Sequence, residues 1–251
     1  MIIASLQSDD ETNHDRLDRN AETVDGRYRS MDVVVNAAMS ADGKLSSRRR
    51  EQIKISGPED FDRVDHIRRE VDAVVVGIGT VLADDPHLTL DDSERQQQRR
   101  QEGRPANPAR VVVDSRGRTP PEGRICDDAA ETYVLVSAAA PEARREALRE
   151  AGVELVVAGA ERVDLPTAFA ELEAAGIKSL LVEGGGELIF SVIENGLIDR
   201  LTVFIGSLVI GGRDAPTLAD GDGFVDDFPQ LSLETVDRVD DGVLLSYIVD
   251  N

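Results

Sequence analysis

Three consecutive glycines, Gly184, Gly185 and Gly186, join a leucine- and valine-rich run ending in Glu183 to an apolar segment that begins at Leu188. Glycine adopts positive φ without steric cost and lets a ligand approach the backbone closely. At a helix start such a turn also presents unpaired amides, which receive an anion, typically a pyrophosphate. A turn that only redirects the chain needs fewer glycines, and no Gly-Lys-Ser/Thr follows to make this a Walker loop. A second glycine-bearing turn, Val76-Gly77-Ile78-Gly79-Thr80-Val81-Leu82-Ala83-Asp84-Asp85-Pro86, also follows a strand-like run. Leu82 stands where a dinucleotide fingerprint has its third glycine, and Pro86 cuts the helix short, so the turn is a poor Rossmann match. Thr80 and Asp84 suit a helix mouth that hydrogen-bonds ribose hydroxyls or amides, and Thr80 equally suits a simple cap.

Two further blocks place polar residues at strand ends. Asn36-Ala37-Ala38-Met39-Ser40-Ala41-Asp42-Gly43-Lys44 runs from a strand into a turn. It reads either as turn chemistry alone or as a strand end where Asn36 and the small Ala38 let a flat ring lie against the backbone. Val113-Asp114-Ser115-Arg116 lies where open α/β sheets collect ligands, although Asp114-Ser115 also suits a cap. Metal chemistry is not expected: Cys126 is the only cysteine, and His14, His66 and His87 are the only histidines. These cannot assemble a Cys/His zinc cluster or an internal disulfide.

The elements that must carry these residues alternate. Short β-branched or leucine-rich runs at 32–38, 73–76, 110–113, 133–136, 154–157 and 179–182 suit a sheet covered on both faces. Helices are expected over 58–70, between Pro141 and Gly152, and between Pro166 and Gly176. Such alternation predicts a largely parallel sheet. Strands at 201–205, 232–239 and 243–249 lack intervening helices, and Asp240-Asp241-Gly242 reads as a hairpin turn, so the sheet should finish antiparallel. Residues 1–30 hold few apolar side chains and are expected to form a tail. The Gln-, Arg- and Asp-rich stretch 91–109 is expected to be a long exposed loop within one domain over 31–251.

The formal charge is −21 over 251 residues, with 4% aromatic residues, which argues against a nucleic-acid partner. No apolar run reaches the roughly 20 residues of a membrane span and the N-terminal segment lacks a signal-peptide pattern, so a cytoplasmic protein is expected. Lys44, Lys54 and Lys178 are the only lysines. A surface of arginine and abundant carboxylate reads as adaptation to high salt, the alternative being an ordinary acidic protein from a GC-rich genome.

Taken in order, Met39-Ser40-x-Asp42-Gly43-Lys44, Val71-Asp72-Ala73, the 77–86 block, Val111-Val112-Val113-Asp114-Ser115, Leu181-Val182-Glu183-Gly184-Gly185-Gly186 and Gly211-Gly212 resemble the riboflavin-biosynthesis reductase family. The resemblance covers residues 31–251. It implies a dihydrofolate-reductase-like α/β fold, with a mostly parallel central sheet flanked by helices and an antiparallel C-terminal hairpin. It also implies NADPH-dependent reduction of a ribosyl to a ribityl group on a phosphorylated ribosylaminopyrimidine. Ala38, Thr80, Asp84, Ser115 and the run Gly184, Gly185, Gly186 and Glu187 would hold NADPH; Asn36, Arg68, Leu88 and Glu183 would face the substrate. No residue is identified as a general acid, and no metal is implied.

By the same resemblance Arg68 is the natural partner of the 5′-phosphate. Bacterial members carry an arginine just after the Leu-Thr of the 77–90 stretch, where this chain has Asp91, so Arg68 or another arginine must supply more of that binding. The chain lacks the Pro-Cys-x-x-Cys deaminase signature, which favours 2,5-diamino-6-ribosylamino-4(3H)-pyrimidinone 5′-phosphate as substrate over the uracil form. A pterin reductase and a non-catalytic nucleotide-binding module are the alternatives from other classes. A homodimer is expected, with the apolar strand 201–205 and the following 206–212 as its interface.

Overall fold

The computed structural model describes residues 31–250. The expected tail at 1–30 lies outside the described residues. Valine-rich runs that are apolar at every position form strands buried on both faces, and here they form the centre of one sheet. β1 (Asp32–Ser40), β2 (Ala73–Gly77), β3 (Ala109–Val113), β4 (Thr132–Val136), β5 (Glu154–Val157), β6 (Ser179–Gly184) and β7 (Arg200–Gly206) run parallel. β8 (Gln230–Val239) and β9 (Gly242–Asp250) complete it antiparallel, in the order β5-β4-β3-β2-β6-β1-β7-β9-β8. The expected mostly parallel α/β sheet with an antiparallel C-terminal hairpin is therefore observed.

Successive residues of each strand feed opposite faces. Val33, Val35, Leu180 and Val182 pack with α5 (Leu165–Ala174) and α6 (Gly186–Glu194). Val34, Val74, Val76 and Leu181 pack on the other face with Val81 of α2 (Ile78–Asp84), Leu148 of α4 (Glu142–Glu150) and Ile67 of α1 (Pro58–Glu70). Phe204, Val239 and Leu244 form a smaller cluster with Ile55. β6 enters between β2 and β1, so the chain reverses direction across the sheet there. The glycine turns after β2 and β6 thus open side by side at the carboxyl ends of adjacent strands, where open α/β sheets bind ligands.

Two expectations fail. The stretch 91–109 is not a long exposed loop, because it holds α3 (Ser93–Gln101), whose Arg99 is 1% exposed. Its mean polarity hid the helix: α3 is fixed by arginine side chains bonding main-chain carbonyls and has no apolar stripe to read. Nor can 201–205 be an interface, since β7 is an inner strand between β1 and β9 with Leu201, Val203 and Phe204 buried. A group of exposed apolar residues lies beyond it instead, with Leu231, Leu233 and Val236 on edge strand β8 and Ile248 on β9. Among the described residues no helix is long and apolar enough to cross a membrane.

Candidate active site

Three neighbouring strands place three polar residues in a row. Thr202 of β7 pairs in register with Asn36 of β1, and Glu183 of β6 lies one step beyond the Val35–Val182 pair, beside Asn36. Asn36 and Glu183 share the sheet face of Val34 and Leu181, against which the end of α1 packs. Two arginines of α1 reach down to this row. Arg68 forks onto Glu183, Nε to Oε1 at 2.6 Å and Nη2 to Oε2 at 2.7 Å, while its Nη1 donates to the Thr89 carbonyl at 3.0 Å. Arg63 Nη2 donates to Asn36 Oδ1 at 2.8 Å, and Thr202 Oγ1 donates to the same oxygen at 2.8 Å.

Burial alone would lower the pKa of Arg68, but the charges of Glu183, Asp91 and Asp65 outweigh it and raise the value. The expected phosphate partner is therefore already engaged by Glu183, and Asp91, in place of the bacterial arginine, adds a second negative charge near it. A bidentate arginine–carboxylate pair fixes both side chains geometrically as well as electrostatically.

α1 is held from outside at both ends. Its N-cap, Gly57, has no side chain to offer. The carboxylate of Asp240, in the β8–β9 hairpin turn, accepts instead from the amides of Glu59 at 3.2 Å and Asp60 at 3.0 Å. A Cβ on Gly57 would lie 2.4 Å from Asp240 Cγ, so this close approach requires glycine. At the other end Arg99 Nη1 donates to the carbonyls of Arg69 at 2.5 Å and Val71 at 2.9 Å, and Arg104 Nη2 to those of Glu70 at 3.0 Å and Val71 at 2.8 Å. Cations on the last carbonyls of a helix complement its dipole. Burial, with Arg104 alongside, lowers the pKa of Arg99 to about 10, which leaves it charged at neutral pH.

Immediately beyond Glu183 the chemistry changes from side chains to backbone. Gly184 and Gly185 face the Thr80 hydroxyl: Cβ atoms built on them would lie 3.4 and 3.8 Å from Thr80 Oγ1. Gly185 has φ +88° and is the N-cap of α6, whose first amides have no partners within the helix. Gly186 differs, because a Cβ there would sit 2.4 Å from the Thr217 carbonyl and 2.7 Å from Asp220 Oδ2. That glycine is required by the packing of the 217–220 loop. Glu187 is exposed in the first turn of α6. Asp84, the last residue of α2, lies four residues after Thr80 and so shares its helix face. Desolvation raises the pKa of its carboxyl.

The remaining expected residues are more scattered. Ala38 is half-buried on β1, two residues beyond Asn36 and on the same face. Ser115 follows β3; its Oγ accepts from the Val163 amide at 3.0 Å and its carbonyl from Ser137 Oγ at 2.8 Å. Asp114 is fully buried and accepts from the Thr119 amide at 2.7 Å and hydroxyl at 2.8 Å, which makes it a turn anchor. Leu88 is buried in the cluster that holds Val34 and Val81, on the same sheet face as the polar row, and the next carbonyl, that of Thr89, accepts from Arg68. Its backbone, at φ 53°, is in the left-handed region that a leucine rarely adopts. Among the described residues no group of His, Cys, Asp or Glu is arranged to hold a metal ion.

Arg63, Asp60 and Thr202 escaped the sequence reading. Arg63 stands five residues before Arg68, about 140° around the helix, so no shared face links the two. A lone threonine in an apolar strand carries no signal of its own.

Against known proteins, residues 31–245 match the family model described as the RibD C-terminal domain. The chain is 45% identical to a 2,5-diamino-6-ribosylamino-4(3H)-pyrimidinone 5′-phosphate reductase of Archaeoglobus fulgidus, over 84% of this chain and 94% of that protein. It is 43% identical to the protein of the same name in Methanothermobacter thermautotrophicus, over 86% of this chain and 97% of that protein. Among solved structures, a pyrimidine reductase-like protein of Corynebacterium diphtheriae has a TM-score of 0.78 at 21% identity, covering 89% of this chain and 93% of that one. That likeness speaks for the fold alone.

Proposed function

The chain belongs to the RibD C-terminal domain family, and from that premise we propose that it reduces 2,5-diamino-6-ribosylamino-4(3H)-pyrimidinone 5′-phosphate to its ribitylamino product with NADPH. One observation carries the reading. Glu183 and Gly184 are consecutive, so the side-chain row suited to a polar substrate adjoins the backbone turn suited to a cofactor phosphate. Catalysis here is chiefly placement, since holding two reactants in contact removes most of the entropic barrier.

When bound, the nicotinamide supplies a hydride. The residues fit such a group: Gly184, Gly185, Thr80 and the α6 amides would take its diphosphate, and half-buried Ala38 leaves room for a flat ring beside β1. Ser115 stands at the end of β3, three strand spacings from β1, roughly 14 Å away, within the span of an extended dinucleotide. Asp84 would reach a ribose hydroxyl, and Glu187 lies at the rim. On the substrate side, Asn36 and Glu183 would bind the pyrimidine and the sugar, and Arg68 would hold the Glu183 carboxylate in place. The Arg68 protons not given to Glu183 or Thr89 are what remain for the substrate phosphate.

A side-by-side assay with NADPH tests this reading, with faster turnover expected for the diaminopyrimidinone than for the corresponding uracil. The 2-amino group donates where the uracil offers an acceptor, and a mismatched buried group costs about 1 to 3 kcal/mol. Faster turnover of the uracil would reverse the substrate order and leave the reductase reading in place.

Two further parts of the proposal have their own measurements. The exposed apolar residues on β8 and β9 support a homodimer closing over that edge, which sedimentation at micromolar concentration would read directly. The charge of −21 supports a halophilic protein; its unfolding midpoint should rise between dilute and molar KCl as repulsion is screened.

A further inference from the structure

Asn36 takes both of its hydrogen bonds on Oδ1, from Arg63 Nη2 at 2.8 Å and Thr202 Oγ1 at 2.8 Å. A guanidinium donates and has no lone pair to offer. Turning the amide over would therefore set its NH2 against Arg63. Arg63 is fixed in turn, because its Nε and Nη2 donate to Asp60 Oδ1 at 2.9 and 2.7 Å. Asp60 is 2% exposed and sits on α1, whose ends are pinned by Asp240 and by Arg99 and Arg104. Asn36 is itself 7% exposed, and among the described residues nothing accepts from its Nδ2. Nδ2 is not one of the buried atoms without a partner, so it keeps access to solvent and its donors are open to a ligand acceptor.

We infer that Arg63, with Thr202, is a positioning residue that fixes the Asn36 amide as a hydrogen-bond donor toward the substrate, so that Asn36 selects an acceptor oxygen and rejects a donor in its place. This rests on the reading that Asn36 faces the pyrimidine substrate. Glu183 next to it can only accept while ionised. The row thus offers donor and acceptor side by side, a pattern that orients a polar ring as well as binding it.

Steady-state kinetics of the full chain test the inference. Asn36→Asp keeps the acceptor that Arg63 and Thr202 need but replaces the donor, so the KM for the pyrimidine should rise about tenfold or more. The KM for NADPH and the melting temperature should stay close to the parent's. Arg63→Met should raise the pyrimidine KM in the Asn36 protein and add nothing on an Asn36→Ala background, as expected of a residue that acts through Asn36. Thr202→Val should act in the same direction with a smaller effect. An active parent whose Asn36→Asp variant binds the pyrimidine normally would overturn the inference alone. So would an Arg63→Met loss of equal size with and without Asn36, because Arg63 would then be supporting the fold. A parent that turns over no ribosylaminopyrimidine would remove the functional reading and this inference with it.

Discussion

The polar row beneath α1 and the glycine turns beside it meet at one peptide bond, between Glu183 and Gly184, yet they prepare for ligands in opposite ways. In the row, charged and polar side chains are already paired with each other: Arg68 with Glu183, and Arg63 with Asn36 and Asp60. In the turns, Gly184, Gly185 and Gly186 carry no side chains, and the groups without helical partners are main-chain amides at the start of α6, with the Thr80 hydroxyl beside them. The first arrangement reads the pattern of donors and acceptors on a ligand. The second is suited to a phosphate, whatever is attached to it. Substrate choice should therefore live in the row and cofactor affinity in the turns, and variants on either side should separate the two.

Arg68→Ala should have the largest effect. It leaves the Glu183 carboxylate, 10% exposed, without its bidentate partner. Removing one member of a buried pair costs about 3 to 5 kcal/mol, and the partial exposure of Arg68 places the expected loss of stability near the lower figure. A denaturant titration would measure it. Turnover of the pyrimidine should fall on the order of a hundredfold through the same displacement of Glu183, while the dissociation constant of NADPH changes little. If NADPH binding weakens in proportion, the two regions are not separate and the comparison breaks.

Gly185→Val probes the other side. Valine at φ +88° is strained by about 1 to 2 kcal/mol, and its methyls would fill the space between the turn and Thr80. NADPH affinity, read by titration calorimetry, should drop about tenfold or more, with pyrimidine affinity nearly preserved. The neighbouring Gly186→Ala makes a useful contrast: it should destabilise the protein through the Thr217 and Asp220 clash at 2.4 and 2.7 Å, whatever ligand is present. Equal NADPH affinity in the parent and Gly185→Val would remove the turn from the cofactor site.

The same division explains what the sequence could reveal. Strands β1 to β7 and the last hairpin were legible because each is a local apolar run with its own punctuation, and the glycine turns were legible because three adjacent glycines state a backbone requirement locally. The row was only partly legible. Asn36, Glu183 and Arg68 came through family resemblance, but the pairing of Arg68 with a carboxylate 115 residues away is a product of topology. Arg63 and Thr202 had no local signal at all. The helix α3 was missed because it is fixed by buried arginines on carbonyls, a device that composition reads as solvent exposure.

The smallest expected effect comes from a residue outside both regions, and it tests whether the comparison is specific. Asp42 follows β1 and ties it to the loop after β7: its carboxylate accepts from Ser40 Oγ at 2.6 Å, the Ile210 amide at 3.0 Å and the Gly211 amide at 2.7 Å. The Ser40 hydroxyl first, and then the Ile210 amide, lower its pKa from the usual carboxylate range to about 2. A carboxyl whose folded pKa is depressed stabilises the fold fully above its unfolded pKa, and that stabilisation disappears as pH falls through the folded value. The contribution of Asp42 is therefore complete above about pH 4 to 5, mostly lost by about pH 2 and gone near pH 1. Asp42→Asn should lower the melting temperature slightly at about pH 6, and its melting curve should converge with the parent's as pH drops from about 4 toward 2. Affinities for NADPH and for the pyrimidine should both stay at parent values, because Asp42 contacts neither the row nor the glycine turns. A selective loss of either ligand would show that the loop after β7 is part of that ligand's site, and the boundary drawn at Glu183 and Gly184 would have to move outward to include it.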